Sequence, residues 1–132
     1  MAPVKTYRDL EVWQVGMTLV EKIYAATQSF PPDERFGLTA ELRRAAVSIP
    51  SNVAEGSCRR TTPAFVNHVS IALGSHAEIE TCIEVALRLR YVSVRVRDDL
   101  MVTADSTGRL LNGLLRSLET RLPQKRPRLE PL

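Results

Sequence analysis

FGLTAELRRAAVSIPSNVAEG, residues 36–56, is the stretch that decides the fold. Apolar residues recur within it at spacings of three and four, which is the period of a helix with one buried face. These apolar residues are Leu38, Leu42, Ala45, Ile49 and Val53. A second set of residues with the same spacing is polar: Arg44, Ser48, Asn52, Glu55 and Arg59. Serine and asparagine between arginines favour contact with another surface over contact with water.

The same helical period appears in three other segments, so the sequence predicts helices over about residues 10–29, 38–57, 63–90 and 94–122. Asp9 is predicted to cap the first helix, and Thr62 and Pro63 to begin the third. Pro50 falls inside the second helix, where we expect a kink because the apolar period continues past it. Four helices with short loops pack most simply as an antiparallel up-down-up-down bundle. We therefore predict an all-α fold with one domain over residues 1–122.

Charge and composition restrict the class of protein. The net charge is +3, and part of it lies in residues 123–132, where Lys125, Arg126 and Arg128 outnumber Glu130. This polar, proline-rich tail is expected to be disordered. No run of about 18 apolar residues and no signal peptide is visible, so we expect a cytoplasmic protein without membrane contact. The two cysteines are predicted to be free thiols.

The sequence offers little that could support catalysis. His68 and His76 are eight residues apart, which is about 12 Å along a helix and too far to bind one metal ion. No zinc-binding spacing and no phosphate-binding glycine loop is present. We expect no enzyme activity, no cofactor and no metal, and we expect His76 to be partly buried and hydrogen-bonded.

The polar face of the second helix has three possible interpretations. If helices two and three fold back on each other about residues 60–62, two residues lie side by side when their numbers sum to about 122. The face then forms a network within the monomer, an interface between subunits, or a surface for nucleic acid. The predicted pairs are Arg44 with Glu78, Ser48 with Gly74, Asn52 with Ser70, and Glu55 with Asn67. The first of these is expected to be a buried or interfacial ion pair. Residues assigned to a network or an interface are Arg44, Ser48, Asn52, Glu55, Gly74, Ser75 and Glu78.

Four motifs carry a resemblance to a known family: DLEVWQ at 9–14, the stretch quoted above, RRTTPAF at 59–65 and SIALGSHAEIET at 70–81. Together they resemble the 23S rRNA-intervening sequence proteins, four-helix-bundle proteins encoded within bacterial ribosomal RNA genes. The resemblance implies a ring-shaped homopentamer. It also implies a relation to the accessory variability protein of diversity-generating retroelements, which binds nucleic acid and a reverse transcriptase.

Two functions follow from the resemblance. The first is a non-catalytic protein that binds nucleic acid, with RNA favoured over DNA. The second is a homo-oligomeric scaffold that recruits a protein partner such as a reverse transcriptase. The candidate nucleic-acid-binding residues are Arg43, Arg44, Arg59, Arg60, Lys125, Arg126 and Arg128.

Overall fold

A computed structural model of the protein describes residues 6–123. That part of the chain is all-α and contains no strand. Its four helices are α1 (Glu11–Thr27), α2 (Leu38–Ser57), α3 (Thr62–Arg88) and α4 (Val94–Glu119), and short 3-10 turns at Tyr7–Asp9 and Pro32–Glu34 precede α1 and α2. The basic tail residues Lys125, Arg126 and Arg128, and the disorder predicted for the tail, lie outside the described residues.

The four helices pack as antiparallel neighbours. Each helix contacts the next one along the chain, and α4 returns to contact α1. The direction follows from individual contacts, because the end of α1 meets the beginning of α2 and the end of α3 meets the beginning of α4. The end of α1 also meets the beginning of α4, where Lys22 Nζ lies 3.2 Å from Asp99 Oδ1. The predicted all-α fold is confirmed.

Aliphatic side chains fill the space between the helices. The predicted apolar face of α2 is buried along its whole length, with Ile49 and Val53 fully inaccessible to solvent. Burying each such side chain contributes roughly 1.5–3 kcal/mol. All four helices supply large, fully buried residues: Leu19, Ile23, Leu42, Ile49, Ile79, Ile83, Leu111 and Leu118.

Several helix ends differ by one to three residues from the prediction. Thr61, not Thr62, caps α3, and its Oγ1 accepts a hydrogen bond from the Ala64 N–H at 3.3 Å. Asp9 is not the cap of α1, because a 3-10 turn intervenes and Leu10 takes the cap position. The Asp9 carboxylate instead accepts a hydrogen bond from the Thr6 N–H at 3.2 Å. At the other ends, α1 stops at Thr27 and α4 at Glu119.

The proline inside α2 packs beside a glycine on α1. The helix continues through Pro50, which is buried. A Cβ atom built onto Gly16 would lie 3.5 Å from Ile49 Cγ2 and 3.7 Å from Pro50 Cδ. Gly16 thus brings the α1 backbone close to the proline ring. Both cysteines are free, as predicted: Cys58 is exposed and Cys82 is buried.

Two glycines on α2 and α3 lie in opposite environments. A Cβ atom built onto Gly56 would lie 2.8 Å from both His68 Cβ and Phe65 Cδ1, which is closer than real Cβ atoms approach. A Cβ atom on Gly74 would meet nothing within 4 Å. Close contact between α2 and α3 therefore depends on Gly56, whereas Gly74 faces open space in the protomer.

We predict that Gly56→Ala lowers the free energy of unfolding by about 1–3 kcal/mol, because the added methyl group overpacks the helix contact. The matched control, Gly74→Ala, is expected to raise it by about 0.5–1 kcal/mol, because alanine favours the helix and finds free space. Chemical denaturation measures both. Equal effects of the two substitutions would contradict the packing described here. A destabilising Gly74→Ala would indicate instead that another subunit covers this glycine.

Candidate nucleic-acid interface

A chain of hydrogen bonds joins the polar faces of α2 and α3; we call Ser48, Asn52, Glu55, His68 and Ser75 the α2–α3 seam. Ser75 Oγ donates to Ser48 Oγ at 2.9 Å. The Asn52 amide donates to the Ser48 carbonyl at 2.8 Å and to Ser48 Oγ at 3.0 Å. The other end of the same amide, Oδ1, lies 3.0 Å from His68 Nδ1, which donates to it. The Glu55 carboxylate lies 4.0 Å from that ring nitrogen.

The contacts in the seam differ from the predicted residue pairs by one or two positions. Ser48 bonds to Ser75 rather than contacting Gly74, and Asn52 bonds to His68 rather than to Ser70. The charged neighbour of Glu55 on α3 is His68, one position after the predicted Asn67. Side chains on a helix lean toward its N-terminus, so a residue-number sum alone does not fix which side chain meets which. These hydrogen bonds lie within one protomer and hold the α2–α3 hairpin together.

Arg44 and Glu78 form the pair that the sequence predicted, but the pair is not buried in the protomer. Arg44 Nη2 lies 3.6 Å from Glu78 Oε1, and the two side chains are 73% and 34% exposed. Burial raises the pKa of Glu78 above its ordinary value, a hydrogen bond with Glu41 raises it further, and Arg44 opposes the shift. A raised pKa favours folding below the ordinary pKa of glutamate, and this contribution is lost as the pH rises through the folded-state pKa.

His76 links α3 to α4 and is partly buried and hydrogen-bonded, as predicted. Its Nε2 donates to the Ala104 carbonyl at 2.7 Å, and its Nδ1 lies 3.2 Å from Glu80 Oε1. A Cβ atom on Gly108 would lie 2.6 Å from the ring, so this glycine makes room for the imidazole. Within residues 6–123, no three histidine, cysteine or acidic side chains form a group that could hold a metal ion.

Arg43 has a structural role. Its Nε donates to Thr27 Oγ1 at 2.8 Å and its Nη2 to the Tyr24 carbonyl at 3.5 Å. The guanidinium carbon also lies 4.6 Å from the centre of the Tyr24 ring. Arg43 therefore joins α2 to α1, and two of its guanidinium nitrogens are already engaged. This arrangement argues against Arg43 as a phosphate ligand.

The other candidate arginines lie in two separate places. Arg44 is in the first half of α2, and Arg59 follows its end, about 22 Å further along the helix axis at 1.5 Å per residue. Arg59 Nη2 lies 2.7 Å from Glu55 Oε1, and both side chains are about half exposed. Arg60 is exposed and forms no ion pair with any described residue. The four arginines thus do not form a single patch on one protomer.

Arg59 and Arg60 belong to the end of the bundle at which α1 and α3 begin and α2 and α4 end, which we call the Arg59 end. Because α4 ends there, residue 123, the last that the structure describes, also lies near this end. In the described residues, five exposed arginines outnumber four exposed carboxylates at this end. The arginines are Arg8, Arg59, Arg60, Arg116 and Arg121, and the acids are Asp9, Glu11, Glu55 and Glu119.

Two substitutions compare the contribution of the α2–α3 seam to stability with that of the exposed Arg44–Glu78 pair. Asn52→Ala removes hydrogen bonds to both helices and is expected to cost about 1–3 kcal/mol of stability, because it leaves part-buried polar groups without partners. Arg44→Ala is expected to cost less than about 1 kcal/mol, because water screens an exposed pair. Denaturant midpoints of the two variants test this ranking. A larger effect of Arg44→Ala would mean that Arg44 is buried in an assembly.

None of the helices in the described part of the chain is both long enough and apolar enough to cross a membrane.

The fold is similar to that of a protein of known structure. A solved structure at 1.70 Å resolution, of a protein of unknown function from the S23 ribosomal protein family of Bacteroides thetaiotaomicron, is similar with a TM-score of 0.73. The two chains are 19% identical, and the match covers 80% of this chain and 95% of the other. No protein with a curated description matches this chain.

The sequence itself matches a family model over residues 8–113, which is most of the chain and includes all four motifs identified above. That family is described as the 23S rRNA-intervening sequence proteins. The match extends from the first 3-10 turn into the second half of α4, so it covers the whole α2–α3 seam but leaves out Tyr7 and residues 114–123 at the Arg59 end. This chain belongs to the family of 23S rRNA-intervening sequence proteins.

Proposed function

We propose that this protein is a non-catalytic, homo-oligomeric RNA-binding protein that contacts RNA through its Arg59 end. The observation that carries the proposal is that Arg59, Arg60 and Arg121 lie at one end of the bundle, where α4 also ends. Arginine donors at such a site contact phosphates electrostatically. The two histidines are engaged in hydrogen bonds between helices, which supports a structural role for them.

The net charge of one protomer is modest, so we propose that several protomers assemble and bring their positive charges together. A ring of five copies would bring five Arg59 ends around one axis and sum their fields. An exposed apolar face on α1 and α2 supports self-association. Met17, Tyr24 and Val47 are each about 40% exposed there, beside a groove of about 270 Å³ lined by Trp13 and Pro50. We also propose a cytoplasmic location, which suits two free thiols.

The second candidate function is a homo-oligomeric scaffold that recruits a protein, such as a reverse transcriptase. The observation that favours it is Phe36, which is 87% exposed just before α2, at the end of the bundle opposite the Arg59 end. Aromatic side chains are enriched at the centres of protein interfaces. The two candidate functions thus use opposite ends of the same bundle, so substitutions can separate them.

RNA binding should be strongest at low salt and should fall with a log–log slope of roughly −0.7 per phosphate contacted on a single strand. Arg59→Ala combined with Arg60→Ala should weaken binding and flatten the slope by about 0.7 for each phosphate that these arginines would neutralise. Fluorescence anisotropy with labelled RNA, from about 50 mM salt upward, measures both the affinity and the slope.

The matched control is Arg88→Ala combined with Arg95→Ala, which removes two exposed arginines from the opposite end of the bundle. It changes the net charge equally and should leave affinity nearly unchanged. Equal weakening by both double variants would point to a general charge effect. Undetectable binding of the unmodified protein at about 50 mM salt would overturn the RNA proposal and favour the scaffold.

Light scattering should give a mass about five times that of the 14.8 kDa chain at tens of micromolar protein. Val47→Glu should reduce this mass, because a charge on the apolar α1–α2 face opposes its burial. Val47→Ala keeps the face apolar and should retain the assembly. A mass equal to one chain for the unmodified protein would rule out self-association under these conditions. A stable assembly of the Val47→Glu variant would indicate that the subunits contact each other through a different face.

A further inference from the structure

A cavity of about 590 Å³ opens at the Arg59 end. The first 3-10 turn, the end of α2, the beginning of α3 and the end of α4 each contribute to its wall. Its volume lies within the roughly 300–1,000 Å³ typical of small-molecule sites. The lining is largely apolar but includes one cation and one thiol. Its wall includes Tyr7, Leu10, Cys58, Phe65, Leu118 and Arg121.

Two aromatic side chains line this cavity, although only 5% of the chain is aromatic. Both are held in place by neighbouring groups. Phe65 packs against the glycine at position 56, and the Tyr7 ring centre lies 5.6 Å from that of Trp13. The Arg8 guanidinium carbon lies 5.7 Å from the Tyr7 ring centre. Fixed aromatic rings at the wall of an apolar cavity suit a flat, uncharged ring better than a flexible chain.

Exposed arginines lie near the same opening and slightly outnumber the carboxylates at this end of the bundle. Arg121 lines the cavity, and Arg8 follows directly after Tyr7 in the chain. Arg59 and Arg60 follow directly after Cys58, so their backbones lie within about 8 Å of its Cα atom at 3.8 Å per residue. The opening therefore combines an apolar, aromatic interior with positive charge outside. Single-stranded nucleic acid has the complementary chemistry, because its bases stack on aromatic rings and its phosphates bind arginine.

We propose that this cavity holds one unstacked base of single-stranded RNA while the flanking phosphates contact Arg121, Arg59 and Arg60. The inference rests on the proposed RNA binding and adds the site at which the RNA is read. Duplex RNA keeps its bases paired and stacked, so it can reach the arginines but cannot fill the cavity. The protein should then bind a single strand more tightly than a duplex with the same number of phosphates.

Phe65→Leu tests the cavity, because leucine keeps an apolar group against Gly56 but removes the ring. Affinity for a single-stranded RNA should fall about 5- to 150-fold, the range for removal of one stacked base, while duplex affinity stays the same. Tyr7→Leu, in a different segment, should act in the same direction and serves if Phe65→Leu does not fold. Phe36→Leu is the control, because that ring is exposed at the opposite end. Circular dichroism checks the fold of each variant.

Cys58 supplies a second readout, because it lines the cavity and Cys82 is buried. Saturating single-stranded RNA should slow maleimide labelling of Cys58 at least about fivefold more than duplex RNA does, as expected for direct occupancy worth one stacked base. The cavity proposal is overturned if the Phe65→Leu and Tyr7→Leu variants bind single-stranded RNA as tightly as the unmodified protein does. It is also overturned if Cys58 is labelled at the same rate with both RNAs. In either case, RNA binding through Arg59 and Arg60 can still hold. Failure of the unmodified protein to bind any RNA would overturn both.

Discussion

The close approach of α2 and α3 at Gly56 is the contact on which the rest of the arrangement depends. A single added carbon at this position would lie 2.8 Å from atoms of both Phe65 and His68. Without that carbon, His68 lies within hydrogen-bonding distance of Asn52, and the α2–α3 seam forms. The same contact holds Phe65 beside the end of α2. One glycine thus fixes both the hairpin and one wall of the cavity.

Polar residues on and just after α2 divide into two groups by what they contact. Those in the middle of the helix, such as Ser48 and Asn52, bond to α3 and stabilise the hairpin. Those that follow its end, Arg59 and Arg60, are exposed near the cavity, and Arg59 pairs with Glu55 on α2. Among residues 6–123, no buried side-chain nitrogen or oxygen lacks a hydrogen-bond partner. The polar groups of this interior are therefore satisfied, and the groups available to a ligand are concentrated at the surface.

The sequence predicted what depends on local periodicity. Leu42, Ile49 and Val53 lie on one helical face, and all three are buried. Helix caps were predicted less well, because neighbouring residues such as Thr61 and Thr62 have the same side chain and only backbone geometry decides between them. The role of Arg43 depends on Thr27 and Tyr24 from another helix. The cavity was missed because its wall comes from four segments that are distant in sequence.

The most direct test of RNA binding at the Arg59 end is to map where RNA touches the protein, using single-stranded RNA with a photoreactive uridine and mass spectrometry of the crosslinked peptides. We predict crosslinks to residues 7–10, 58–65 and 114–121, which surround the Arg59 end. Crosslinks confined to the opposite end, around Phe36 and residues 88–95, would contradict this binding site. So would crosslinks along the α2–α3 seam alone, because the hydrogen bonds of that seam are already made within the protomer.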